Sequence, residues 1–407
     1  MPKRLLLCLM VLLLVCTSCA GQSKDVNIMC LSVYEDTFDA IHRAGVARDD
    51  ALAPVNCLTE EDYTDYADWY DSMYTGLLTR SDDIDIYWLR STDEKAYKLL
   101  KDHYFVDLSQ DKAMMEYYDA MYPEIRDWCT FGDEIFGFPV FIHYPMGLFI
   151  NEDQMKDVGY TREDIRTMEG FGDFCDAWNA SQPTPPIEGK LFLHNYVYDY
   201  LLSHYERATG ELNLDTPAFR SILAQFGASQ YFEYMPDSGG WYTVELDTPI
   251  ALLTGTPMAY KRQYIPAYFP LLEGESPDTK RNVSVTWCII NPSSRNKEQA
   301  FAYMRLLAEA SKYDKWTNPL MYRDEDFYAS AFLRGTTFNN IYSDEQFEMV
   351  GGYLDGFYLK YGFTGYGDVR AIFDLYIMDG NQTLDETIAE AQDLLDTIRQ
   401  EQYIGED

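Results

Sequence analysis

The chain has 407 residues, enough for two domains or three at ~100–200 residues each, and 47% hydrophobic residues supply a sizeable core. Lys and Arg number 32 against 67 Asp and Glu, a net charge of −35 that excludes nucleic acid as a partner, because phosphate needs a basic surface. An anionic membrane surface is disfavoured on the same ground. Aromatic residues stand at 15%, with 34 Tyr, and Tyr serves amphipathic binding surfaces as well as packing.

In chain order, Pro2-Lys3-Arg4 is a basic start, and Leu5 to Val15 is an apolar run. A spanning helix needs ~20 apolar residues, so this run predicts a secretory signal rather than a transmembrane anchor. It ends on Thr17-Ser18-Cys19-Ala20-Gly21, which resembles a bacterial lipobox. The expectation is a signal peptide over 1–18, lipidation of Cys19 and a tether over 19–25. Cleavage removes Lys3 and Arg4 and no acid, taking the net charge from −35 to −37.

Val26 to Tyr34 reads as a buried strand, Thr37 to Gly45 as a helix, and Leu52 to Leu58 as a second strand. Thr59-Glu60-Glu61 opens a predicted helix to about Thr79, its acids suiting the helix dipole. Asp83 to Leu89 is a third strand and Asp93 to Lys101 a helix, and this alternation predicts a parallel α/β sheet. Asp111 to Trp128 reads as one helix. Phe131 to Ile150 is strand-like, broken by Pro139 and Pro145, and Asn151 to Val158 and Thr161 to Asn179 are helical. Leu191 to His194 reads as a strand, followed by helices at Tyr196–Ala208 and Thr216–Gly227. Leu246 to Leu253 reads as helical, Met258 to Tyr260 as a short strand, and Glu273 to Asn282 as a polar loop. Val283 to Ile290 is a buried strand, Glu298 to Ala310 a helix, and the C-terminal third is helical, ending in Leu384 to Gln400.

Past Cys19 five cysteines remain, at 30, 57, 129, 175 and 288. Their number and wide spacing fit neither a disulfide framework nor a zinc site. Buried free thiols are expected, and a Cys30–Cys57 bridge between neighbouring strands stays open. No cofactor or metal motif is present in the sequence.

Three stretches carry a resemblance. They are Asp85-Ile86-Tyr87-Trp88, then Gly137-Phe138-Pro139-Val140 followed by Gly147 to Asp153, then Ile289-Ile290-Asn291-Pro292-Ser293-Ser294-Arg295-Asn296-Lys297-Glu298-Gln299-Ala300. In this order, behind a lipobox, they resemble bacterial extracellular solute-binding proteins of the maltose-binding-protein type, the receptors of ABC importers. Leu252 to Ala259 and Ile150-Asn151-Glu152-Asp153 depart from that family's usual motifs. The resemblance implies a periplasmic-binding-protein-like fold, two discontinuous α/β lobes joined by a hinge that close on a solute. Lobe one is expected over 26–140 and 283–315, and lobe two over 145–275 and 325–407. It further implies a small-molecule solute, a membrane permease as partner, a monomer, and a lipid anchor on the extracellular face of the cell membrane.

Ligands of open α/β sheets lie at strand C-terminal ends. Candidate binding residues are therefore Tyr34 and Glu35 after the first strand, and Trp88 and Arg90 at the third. His143 and Tyr144 lie in the crossing, Tyr196 and Tyr198 follow the expected strand at 191–194, and Lys261 and Tyr264 follow Met258–Tyr260. Trp88 matches a sugar-stacking position of the family. Aromatics with polar groups suit a carbohydrate, most of all an oligosaccharide. Competing readings are a surface lipoprotein that binds a peptide, polyamine or protein, and a secreted glycan-acting enzyme. The enzyme would need two carboxylates ~5–9 Å apart, a demand that 67 acids make uninformative. No nucleophile elbow, His-Glu-x-x-His or phosphate loop is present.

Overall fold

The computed structural model describes residues 25–32, 35–48, 51–143, 147–183, 186, 191–227, 249–253, 264–267, 269–311, 322, 354–379 and 382–403. Cys19, Tyr34, Tyr144, Lys261 and the expected strand at 258–260 lie outside them.

β1 (Val26–Met29) pairs in parallel with β2 (Val55–Leu58), in register from Val26↔Val55 to Met29↔Leu58. On its other side β1 pairs in parallel with β3 (Ile86–Arg90), through Ile28↔Ile86 and Met29↔Tyr87. Parallel neighbours need crossovers, and these are α1 (Glu35–Ala47) and α2 (Tyr66–Leu78). On α2 the buried residues are Trp69, Met73, Tyr74 and Leu77, one helical stripe. The helix expected to start at Thr59 is divided. Glu60–Asp62 forms a 3₁₀ turn closed by Thr59 N–H donating to Asp62 Oδ2 at 2.8 Å. Asp65 then caps α2 by accepting from Asp68 N–H at 2.9 Å. Two N-caps in succession force a break that the acid-rich start conceals.

α3 (Ala96–Lys101), α4 (Lys112–Ala120) and α5 (Pro123–Asp127) follow, with Pro123 at the first turn dividing the helix expected over 111–128. β4 (Thr130–Phe131) and β5 (Glu134–Ile135) form a small hairpin. β6 (Phe138–His143) and β7 (Gly147–Asn151) come next. Asn151 caps α6 (Glu152–Asp157), its Oδ1 accepting from Asp153 and Gln154 N–H.

α7 (Met168–Ser181), α8 (Leu191–His204) and α9 (Pro217–Gly227) come next. The strand expected at 191–194 is instead the first turn of α8. Its buried residues Tyr196, Val197, Tyr200 and Leu201 keep a helical period, which overrides the strand propensity of the apolar run before them. β8 (Ile250–Leu253) replaces the helix expected over 246–253, and β9 (Tyr264–Ala267) follows. β8 and β9 flank β7 in an antiparallel three-stranded sheet, and pairing with β7 is what selects strand at β8.

β10 (Arg281–Ile290) is buried at nine of its ten positions, α10 is Lys297–Ala310, and β11 (Phe357–Leu359) pairs in parallel with the start of β10. The larger sheet runs β11-β10-β3-β1-β2, with β6 also on β10. α11 (Tyr366–Asp379) and α12 (Leu384–Tyr403) end the described chain. No described helix is long and apolar enough to cross a membrane.

The chain divides into two compact units, each discontinuous in sequence. One takes Met1–Trp88, Tyr104–Val106 and Cys288–Leu307, and the other Leu89–His103, Asp107–Trp287 and Ala308–Asp407. In the first, Asp85 ties strand ends together. Its carboxylate accepts from Asn27 N–H at 3.0 Å, Ser294 Oγ at 2.5 Å and Asn296 Nδ2 at 3.3 Å. Asn291 Nδ2 donates to the carbonyls of Ser81 and Ile84. The second unit has a core of α7, α8, α9, α11 and α12, built on Phe174, Trp178, Tyr196, Phe219 and Phe373 among others. Cys30, Cys57, Cys129, Cys175 and Cys288 are free thiols.

Candidate functional site

Five of the ten residues singled out in the sequence can be placed with their side chains. In the first unit, Glu35 is exposed in the first turn of α1, and Trp88 lies inside β3 with 4% of its surface exposed, a core position. Tyr196 is buried in the second unit. Its hydroxyl donates to the Pro270 carbonyl at 2.7 Å and its ring carries the Arg281 guanidinium at 4.7 Å. Both the hydroxyl and a ring face thus serve the fold. Tyr198, half-buried, donates to Asp374 at 2.7 Å beneath Arg370 at 5.1 Å. Arg90 ends β3 and is half-buried. His143 ends β6 and Tyr264 opens β9.

Arg281 belongs to a buried polar knot in the second unit. It holds Glu275 through two bonds at 2.7 and 2.5 Å and reaches Asp199 at 3.4 Å. Asp199 also accepts from Asn282 N–H at 2.7 Å and Tyr358 Oη at 3.1 Å. Burial pushes the Asp199 carboxyl above its ordinary range, and the guanidinium partly opposes that push. The knot fastens α8 to the starts of β10 and β11.

A second cluster of the same unit has the character of a binding surface, and it stands at the C-terminal end of β3. Ser91 is locked there: its N–H donates to the Val285 carbonyl at 2.7 Å, and its Oγ accepts from Val285 N–H at 3.0 Å. Ser91's carbonyl accepts from Gly362 N–H at 2.8 Å. A Cβ on Gly362 would lie 2.1 Å from the Thr92 carbonyl oxygen, so only glycine admits this approach. The approach brings Tyr361 against Tyr97 of α3, ring centres 5.7 Å apart, while Phe131 meets Tyr97 edge-on at 6.0 Å. Arg207 lies 4.7 Å over Tyr97 and donates to the carbonyls of Tyr361 and Gly362. Tyr205 stacks on Phe363 at 4.0 Å. Trp287, wholly buried, underlies the group 6.3 Å from Tyr361.

Tyr97, Phe131, Tyr205, Arg207 and Tyr361 are all half-buried. Half-buried aromatic rings held in fixed orientation suit ligands with apolar faces and polar edges. Asp93, two residues past Ser91, is buried, its Oδ2 accepting from Arg90 N–H at 2.8 Å. Burial drives its carboxyl well above the ordinary range. None of the cluster except Arg90 was a sequence candidate. The available signal was the alternation Tyr361-Gly362-Phe363-Thr364-Gly365-Tyr366-Gly367, aromatic residues spaced by glycines.

No protein-family model matches the chain, and no curated protein matches it in sequence. Solved structures do match. Maltose-bound MalE3 of T. maritima is 14% identical, covers 92% of this chain and 99% of its own, and gives a TM-score of 0.62. The sugar-binding protein MalE of Xanthomonas citri is 12% identical over 94% of this chain and 99% of its own, with a TM-score of 0.63. An ABC-transporter-associated binding protein of B. animalis subsp. lactis Bl-04, in complex with β-1,6-galactobiose, is 15% identical over 94% and 98%, with a TM-score of 0.59. At the level of fold, then, the resemblance carried by Asp85–Trp88, Gly137–Asp153 and Ile289–Ala300 holds, and the chain has the periplasmic-binding-protein-like fold of the MalE-type ABC sugar-binding proteins.

Proposed function

We propose that the chain is a lipid-anchored extracellular receptor that captures a carbohydrate, most of all an oligosaccharide, by closure of its two lobes and hands it to an ABC importer. The observation that carries the carbohydrate reading is the half-buried group of Tyr97, Phe131, Tyr205 and Tyr361 at the C-terminal end of β3. Sugar-binding proteins that share the fold over nearly their whole length support it. The lobes of this reading are 26–140 with 283–315 and 145–275 with 325–407, and Arg90 and Tyr198 are its remaining half-buried candidates. Trp88 drops behind Tyr97 as the stacking residue, because its indole is already packed.

The test is calorimetric titration of the purified protein with maltotriose, β-1,6-galactobiose and galactotriose, beside a tripeptide and spermidine. Saturable binding of at least one glycan, recovered intact, is expected. Binding confined to the peptide or the polyamine, or hydrolysis of the glycan, would replace the reading with one of its competitors. The anchor is tested separately: Cys19→Ala is expected to leave the detergent phase, and unchanged partitioning would remove lipidation from the proposal.

A further inference from the structure

Among the described cysteines, Cys30, Cys129, Cys175 and Cys288 are buried, and Cys57 is half-buried. Cys57 belongs to β2, last in the strand order of the larger sheet, where Ile28 of β1 is its partner in register. Cys30 stands two residues beyond Ile28, so the Cys30 and Cys57 side chains leave the sheet on the same face as diagonal neighbours. Their thiols meet there in a hydrogen bond. Cys288 is on β10, and both β3 and β1 lie between β10 and β2. At ~4.8 Å per strand spacing, Cys288 is about 14 Å across the sheet from Cys57 and about 10 Å from Cys30. Cys30 and Cys57 are therefore each other's nearest thiol on that face.

The strand ends around the pair are strapped together. Cys30 N–H donates to the Leu58 carbonyl at 3.2 Å, and Ser32 gives its N–H and its hydroxyl to Glu60 at 2.8 and 2.7 Å. Diagonal neighbours stand about 7–8 Å apart at Cα, just past the ~6.8 Å that a disulfide spans. Closing a bridge therefore draws the end of β1 toward β2 by about 1 Å. Cys30 is the first residue past β1, and its bond to Leu58 is longer than the 2.8 Å from Val26 N–H to the Pro54 carbonyl at the other end of the pairing. The slack is thus at the end that must move. The hydrogen bond to Cys57, ahead of burial, holds the Cys30 thiol above its ordinary range. Cys30 keeps its proton, and the half-buried Cys57 is the thiol that meets a reagent first.

From this pairing we propose that Cys30 and Cys57 are an oxidisable dithiol, which a small disulfide such as oxidised glutathione closes into a bridge across the ends of β1 and β2. The Cys57 thiolate attacks one sulfur of the small disulfide, whose S–S bond breaks, and a first thiolate leaves. Cys30 then gives its proton to water and attacks the Cys57 sulfur of the mixed disulfide, expelling the second thiolate. Two protein thiols are oxidised, and one small disulfide is reduced to two thiols. The proposal does not depend on the identity of the solute.

The experiment incubates the folded wild type, Cys30→Ser, Cys57→Ser and Cys288→Ser with oxidised glutathione. The remaining thiols are alkylated in denaturant, and unreduced peptides are mapped by mass spectrometry. The expected result is a linked Cys30–Cys57 peptide in the wild type and in Cys288→Ser, with alkylation of both residues largely lost. Cys30→Ser should stop with one glutathione on Cys57, and Cys57→Ser should form no link from Cys30. Treatment with reduced glutathione should restore alkylation of both residues in the wild type. A wild type in which Cys30 and Cys57 are both still alkylated overturns the proposal. So does one in which Cys57 stops at the mixed disulfide, or in which either residue links to another cysteine. A Cys30–Cys57 link that forms only in urea overturns it as well. The wild-type map decides by itself where a variant fails to fold.

Discussion

Arg281→Ala isolates the buried polar knot. Arg281 is 8% exposed, bonds both oxygens of Glu275 and lies beside the equally enclosed Asp199. Truncation leaves two carboxylates facing each other with the cation gone and opens a void under Tyr196. Removing one partner of a buried pair costs about 3–5 kcal/mol, because the uncompensated charge stays behind. At ~1–3 kcal/mol per M of urea that moves the unfolding midpoint of the second unit down by at least about 1 M. Asp199→Asn should cost less, since Arg281 keeps Glu275 and the amide oxygen can still accept from Asn282 N–H. The assay is urea unfolding followed by tryptophan fluorescence, with Arg220→Ala as the surface control, its ion pairs with Asp215 and Asp385 being solvent-exposed. An Arg281→Ala midpoint no lower than that of Arg220→Ala would refute the reasoning.

Asp93 gives a pH prediction. Its folded pKa is raised by burial, so the folded state holds a proton that the unfolded chain releases near the ordinary value of 3.8. Stability from this group is therefore present below that value and is lost as pH rises through the folded pKa. Wild type should lose stability relative to Asp93→Asn as pH rises from the ordinary value through the folded pKa, and parallel curves would contradict this. Gly362→Ala should destabilise by about 1–3 kcal/mol, since the added methyl meets backbone, at 2.1 Å from the Thr92 oxygen, rather than a movable side chain. Thermal unfolding reads it, and an unchanged midpoint would mean that the 361–363 segment is not held as described.

Strands β1, β3 and β10 were legible because each is a short buried apolar run, and the polar motif after β10 was legible because it performs a local task. Asn291 and Ser294 satisfy the Ser81–Asp85 turn, and such a task needs particular side chains at fixed spacing. α8 was misread at its start, where Leu191-Phe192-Leu193 has no period of its own, while the helical period lies in Tyr196, Val197, Tyr200 and Leu201. β8 was misread because its partner β7 is distant in sequence. The aromatic cluster was not legible. Tyr97, Tyr205 and Tyr361 are three among 34 tyrosines, and what distinguishes them is a long-range contact made at Gly362. Trp88 was legible as a strand residue but not as a packed one, since burial depends on what covers a strand end.

The most direct test of the carbohydrate site is calorimetry of Tyr97→Ala with the glycan that binds the wild type best. Losing ~60–100 Å² of apolar stacking surface at ~25 cal/mol per Å² gives ~1.5–2.5 kcal/mol, a ten- to seventyfold weaker Kd. Tyr70→Ala, on α2 in the other unit, where Tyr70 packs edge-on against Tyr74 at 5.0 Å, should bind as the wild type does. The account predicts that only Tyr97→Ala weakens binding while both variants stay folded. Wild-type affinity in a folded Tyr97→Ala would contradict it.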